Sequence, residues 1–76
     1  MHLIAYWLGQ SIVAAATAEE AVAIMERHEP PGRWQPGQAR ELTAEELAEP
    51  LDDGSVADAL AACHRAQLLR WDYPQQ

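Results

Sequence analysis

Two apolar runs, His2 to Leu8 and Ser11 to Thr17, flank the dipeptide Gly9-Gln10. A two-residue loop with glycine first predicts a β-hairpin closed by a type II′ turn, because glycine accepts the positive φ required there. This turn sets a register in which Leu8 faces Ser11, Trp7 faces Ile12, Tyr6 faces Val13, Ala5 faces Ala14, Ile4 faces Ala15 and Leu3 faces Ala16. Side chains alternate along a strand, so Ile4, Tyr6, Leu8, Val13 and Ala15 share one face. Leu3, Ala5, Trp7, Ile12, Ala14 and Ala16 share the other. Both faces are apolar, whereas a half-solvated hairpin has one polar side, so each face needs a cover.

The second strand runs into Thr17-Ala18-Glu19-Glu20. Thr17 with Glu20 three positions on is a capping-box pattern, and Ala18, Ala21, Val22 and Met25 follow at helical spacing. A helix over 18–28 is expected, stopped by Glu29-Pro30-Pro31-Gly32. PPGRWQPG, residues 30–37, reads as a loop. Residues 38–42 are compatible with a short third strand. Thr43-Ala44-Glu45-Glu46 repeats the capping pattern and predicts a short helix over 44–49 that Pro50 ends. Leu51-Asp52-Asp53-Gly54 is a turn, and Ser55 with Asp58 opens a last helix. Val56, Ala59, Leu60, Cys63, Ala66 and Leu69 recur at helical intervals and extend that helix over 56–70, up to WDYP at 71–74. The expected architecture is one small α+β domain over residues 1–76, a hairpin (2–17) packed with two to three helices in the order β-β-α-α-α.

Composition narrows the function classes. A chain of 76 residues lies near the lower limit for a self-sufficient core, much of its apolar content is alanine, and phenylalanine is absent. Trp7, Trp34, Trp71, Tyr6 and Tyr73 therefore carry the aromatic area, and a core this marginal makes dimerisation or partner binding plausible. Twelve acidic residues against five arginines, with no lysine, give a formal net charge of −7. That balance disfavours direct binding to nucleic acid or an anionic membrane and favours a basic partner. The single cysteine, Cys63, forms no intramolecular disulfide. With no leader pattern and no apolar run of membrane-spanning length, a soluble cytoplasmic protein is expected.

The densest charge lies in ELTAEELAEPLDD, residues 41–53, where Glu41, Glu45, Glu46, Glu49, Asp52 and Asp53 stand with no basic residue among them. On a helix Glu45 and Glu49 would lie one turn apart, and such a row imitates the phosphates of a nucleic-acid strand. The plainer alternative is a solvated face favoured by the helix dipole. Trp34 also has two readings, a lid folded over the core on the hairpin face left open by the first helix, or, with Arg33 beside it, an exposed anchor for a partner. Catalytic use of the carboxylates would need a cleft that separates their pKa values, which a short surface helix does not provide. Cys63 and His64 point about 100° apart on a helix, and no C-x-x-C or H-x-x-x-H spacing exists, so no metal site, cofactor or enzymatic activity is expected. Cys63 reads as a small core residue.

A tight hairpin followed by AATAEEA, residues 15–21, resembles the layout of many short proteins encoded by phages and mobile elements. The placement of the unpaired acidic charge makes the leading expectation a non-enzymatic interaction or inhibitor protein that occupies a basic nucleic-acid-binding surface of a host machine. Anti-CRISPR proteins are the analogy in size, acidity and compactness. Its candidate contacts are Glu41, Glu45, Glu46, Glu49, Asp52, Asp53, Trp34 and Arg33. The alternative is a structural or regulatory module that homodimerises or docks on another protein through Leu3, Trp7 and Ile12.

Overall fold

In a computed structural model that describes residues 2–52 and 54–72, the two apolar runs pair as antiparallel strands β1 (Ile4–Leu8) and β2 (Ser11–Ala15). The five pairs from Ile4↔Ala15 to Leu8↔Ser11 follow the turn-derived register. Gly9 has φ 64° while Gln10 does not enter positive φ, the signature of a type II′ turn. Gly9 serves a second purpose, since a Cβ there would lie 2.8 Å from Trp34 Cη2. The turn is thus also the seat of an indole.

Both hairpin faces are covered, from opposite sides. On one side α1 (Ala18–Met25) buries Ala21, Val22, Ile24 and Met25 against Leu8, Val13 and Ala15. Thr17 caps α1 by accepting from Glu20 N at 3.1 Å, and Glu20 Oε1 returns to Ala16 N at 2.7 Å. The regular helix closes at Met25, short of the expected 28, and turns carry the chain to Glu29, whose N–H still bonds Met25 O at 2.9 Å. On the other side Val56 and Leu42 join Ala5 and Ile12, with Trp7, Leu47, Leu51, Leu60 and Leu69 packed around them. All five residues of β2 are buried, which explains its continuous apolar run.

The chain deviates from the expected order beyond residue 62. The last helix, α2 (Val56–Ala62), is half the expected length, and residues 67–70 form a strand, β6. With β3 (Arg40–Glu41) on the far edge, the described residues form a four-stranded sheet in the order β3-β1-β2-β6 and two α-helices, still α+β but not β-β-α-α-α. The reason is tertiary. Without β6, β2 would be a buried strand with an unpaired edge, and its N–H and C=O groups would lack partners. The register shift opposite Ile12 and Val13 allows Leu69 and Arg70 both to reach the α2 side while Leu68 joins the α1 side.

The third strand over 38–42 reduces to Arg40–Glu41, hydrogen-bonded along β1. The helix expected over 44–49 is a single 3₁₀ turn, Glu46–Ala48, and Pro36–Gln38 makes another at the end of the 30–37 loop. Pro50, rather than ending a helix, opens β4 (Pro50–Leu51), which pairs with β5 (Gly54–Ser55) across the turn. No helix of the described residues is long and apolar enough to cross a membrane.

Candidate functional site

The acidic segment starts on the edge strand, where alternation splits its first two neighbours between faces. Arg40 stands opposite Trp7, on the α2 side, and Glu41 stands opposite Tyr6, on the α1 side. Thr43 then caps the 3₁₀ turn reciprocally, its Oγ1 accepting from Glu46 N at 3.2 Å and its N–H donating to Glu46 Oε1 at 2.9 Å. Glu46 also receives both Arg40 terminal nitrogens, at 3.2 and 3.3 Å. Glu49 Oε1 accepts from Arg70 Nη1 at 3.0 Å, and Arg70 Nη2 donates to the Gln10 carbonyl at 3.0 Å. Both guanidiniums approach the Trp7 indole from strands on either side of β1, at 5.9 Å and 5.5 Å from the ring centroid. Trp7 Nε1 is buried near the Glu46 carboxylate and makes no well-aligned hydrogen bond among the described residues.

This arrangement changes the reading of the segment. Glu45 and Glu49 do not share a helical face, because Glu45 precedes a three-residue 3₁₀ turn and Glu49 leaves it extended. Glu46 and Glu49 are fastened to the sheet by Arg40 and Arg70. Glu41, Glu45 and Asp52 remain exposed, whereas Asp53 lies outside the described residues. Glu41 and Glu19 both flank Tyr6, whose phenol is pushed above its usual range by burial first and then by these two carboxylates.

The Thr43 backbone N–H, followed by the Arg40 guanidinium, lowers the Glu46 carboxyl from the usual 4.5 to about 2. Its folded-state pKa lies below the unfolded value, so its stabilisation is complete above about pH 4.5 and declines as pH falls toward 2. Urea unfolding followed across pH 5 to 2.5 is expected to show this loss, and Glu46→Gln is expected to flatten that part of the profile. An unchanged slope in the variant would assign the acid sensitivity to other groups.

Arg33 and Trp34 meet around Glu29, a residue that sequence reasoning treated only as a helix end. The Glu29 side chain is 1% exposed and accepts the Trp34 indole N–H on Oε1 at 2.7 Å and the Trp71 indole N–H on Oε2 at 2.8 Å. Arg33 Nε lies 3.2 Å from Oε1 and its guanidinium stacks 5.3 Å from the Trp34 ring centroid. Trp34 is therefore a lid, half-buried on the core, but on the same side as α1 rather than on the opposite face. Trp71 rests beside His28, with 6.0 Å between ring centroids. Asp72 N donates to Ser11 Oγ at 2.9 Å, which satisfies the buried hydroxyl of β2.

The apolar hairpin interface is closed within the fold. Ile12 is fully buried, Trp7 is half-buried beneath the two arginines, and Leu3 borders a small pocket of about 400 Å³. His2, Cys63 and His64 line that same pocket, a meeting that helical geometry did not predict and that arises because α2 ends before Cys63. Cys63 is half-buried at its rim, outside both core clusters, and its Sγ accepts from Gln67 Nε2 at 2.9 Å. Among the described residues no three His, Cys, Asp or Glu side chains are grouped to hold a metal. In comparisons with family models, with curated proteins and with solved structures, no match is found.

Proposed function

We propose that this chain is an acidic, non-enzymatic interaction protein that occupies a basic, nucleic-acid-binding surface of a partner, in the manner of a phage or mobile-element inhibitor. One observation carries the reading. Arg33, Arg40 and Arg70 are engaged by Glu29, Glu46 and Glu49, so much of the positive charge is neutralised within the fold. Among the described residues Arg27 and Arg65 make no ion pair, while Glu19, Glu26, Glu41, Glu45, Asp52 and Asp72 stand exposed. The outward field is therefore strongly negative, which speeds encounter with a cationic groove and repels nucleic acid itself.

The test is charge reversal at Glu41, Glu45 and Asp52, three exposed positions outside the internal ion pairs. The wild-type protein is used to capture partners from a nuclease-treated lysate of its native host, which are identified by mass spectrometry and released with rising salt. Glu41→Lys/Glu45→Lys/Asp52→Lys is expected to slow association with the identified partner by about tenfold or more at low salt, with thermal unfolding unchanged. Equal association rates for the variant and the wild type, or a partner that DNA and RNA fail to displace, would overturn the reading.

A further inference from the structure

Among the described residues the sheet ends on β6, and α2 does not lie over it. The helix makes its main sheet contacts on β1, which leaves a groove of about 880 Å³ between α2, the β4–β5 hairpin and β6. Its floor is apolar, formed by Leu51, Ala59, Ala62 and Leu69. Asp52 and Asp58 stand exposed on its rim, and at one end Trp71 is 48% exposed, the most open large apolar side chain among the described residues. Arg70 also lines the groove, but Glu49 and the Gln10 carbonyl engage its guanidinium.

We propose that this groove receives an extended, cationic segment of a partner protein, added alongside β6. An extended chain can hydrogen-bond to the outer edge of a terminal strand and direct alternate side chains to one face. Its apolar side chains enter between α2 and Leu69, and its lysines or arginines reach Asp52 and Asp58. Charge selects this occupant. A second copy of the chain, at −7, would bring like charge to an acidic rim, and a nucleic-acid strand would do the same. The proposal rests on the acidic-surface reading and assigns it a place.

The probe is an octapeptide of alternating valine and lysine, titrated into the ¹⁵N-labelled 76-residue chain, with alternating valine and glutamate as the control. Amide shifts are expected at Leu51, Ala59, Ala62 and Leu68 to Arg70, weakening with salt and absent with the acidic peptide. Asp52→Lys/Ala62→Arg, which alters two exposed positions, is expected to reduce affinity about tenfold while retaining a folded spectrum. Shifts centred on Tyr6, Glu19 and Glu41 would overturn the groove and leave the acidic-surface reading standing. No shift at millimolar peptide, equal shifts with the acidic peptide, or a protein that sediments as a dimer with these amides already protected would each overturn the groove. The host-partner experiment with only Glu41 and Glu45 reversed, two positions outside the groove, decides the broader reading.

Discussion

Glu29→Ala is expected to lower the stability of this protein by about 2–4 kcal/mol, a large share of the roughly 4–11 kcal/mol available to a chain of this length. The carboxylate accepts from Trp34 Nε1 and Trp71 Nε1 and pairs with Arg33, and its own side chain is almost completely buried. Removing it strands the donors unequally. The Trp34 N–H belongs to a half-buried ring seated on Gly9 and lacks ready access to water, so it carries most of the loss. Trp71 and the Arg33 guanidinium lie nearer the surface, which keeps the expected figure below that for an unpaired buried ion.

Glu29→Gln should recover little, because its amide offers a single acceptor oxygen and turns an NH₂ donor toward the second indole. Trp71→Phe should cost less than Glu29→Ala, since the carboxylate keeps Trp34 and Arg33. Urea unfolding monitored by circular dichroism measures the losses, and indole fluorescence reports the release of the rings. A loss below about 0.5 kcal/mol for Glu29→Ala, the size of an ordinary surface change, would show that Glu29 does not tie these segments together.

Local grammar made the first third of the chain and the start of α2 legible. Gly9-Gln10 fixed both the turn and the register, and Thr17 and Ser55 announced their helices because a cap depends on residues three positions apart. Alternation alone showed that the hairpin needed a cover on each side, and α1 and α2 supply them. What stayed hidden depended on distant partners. Cys63-His64-Arg65-Ala66 contains no glycine or proline to interrupt a helical pattern, and the consecutive leucines at 68 and 69 fit a helix and a bulged two-sided strand equally well. The open edge of β2 decided between them. The acidic segment similarly looked unpartnered because Arg40 lies just before it and Arg70 lies 21 residues from Glu49. The reciprocal Thr43–Glu46 cap was already a sign that Glu46 faces its own backbone. Glu29 gave no such sign, since its second indole is 42 residues away.

Ile12→Ala and Met25→Ala are each expected to cost about 2–5 kcal/mol, a large share of the total stability. The two side chains are fully buried on opposite sides of the sheet, Ile12 with Val56 and Leu42, Met25 with Leu8 and Val13. Neither neighbourhood can close the resulting cavity easily. Each core is one layer of side chains between a short helix and a strand, and β2 is buried along its whole length. Because β2 contributes residues to both clusters, loosening one face displaces the backbone on which the other is built. Hydrogen exchange should therefore show Ile12→Ala lowering protection in α1 as well as in α2, and Met25→Ala doing the reverse, within a single unfolding transition. Two separate transitions, or loss of protection confined to α2 in the Ile12 variant, would mean that the faces fold independently. In the coupled case, the proposed segment seated between α2 and β6 would stabilise the α1 face as well, and its binding would be read out across the whole sheet.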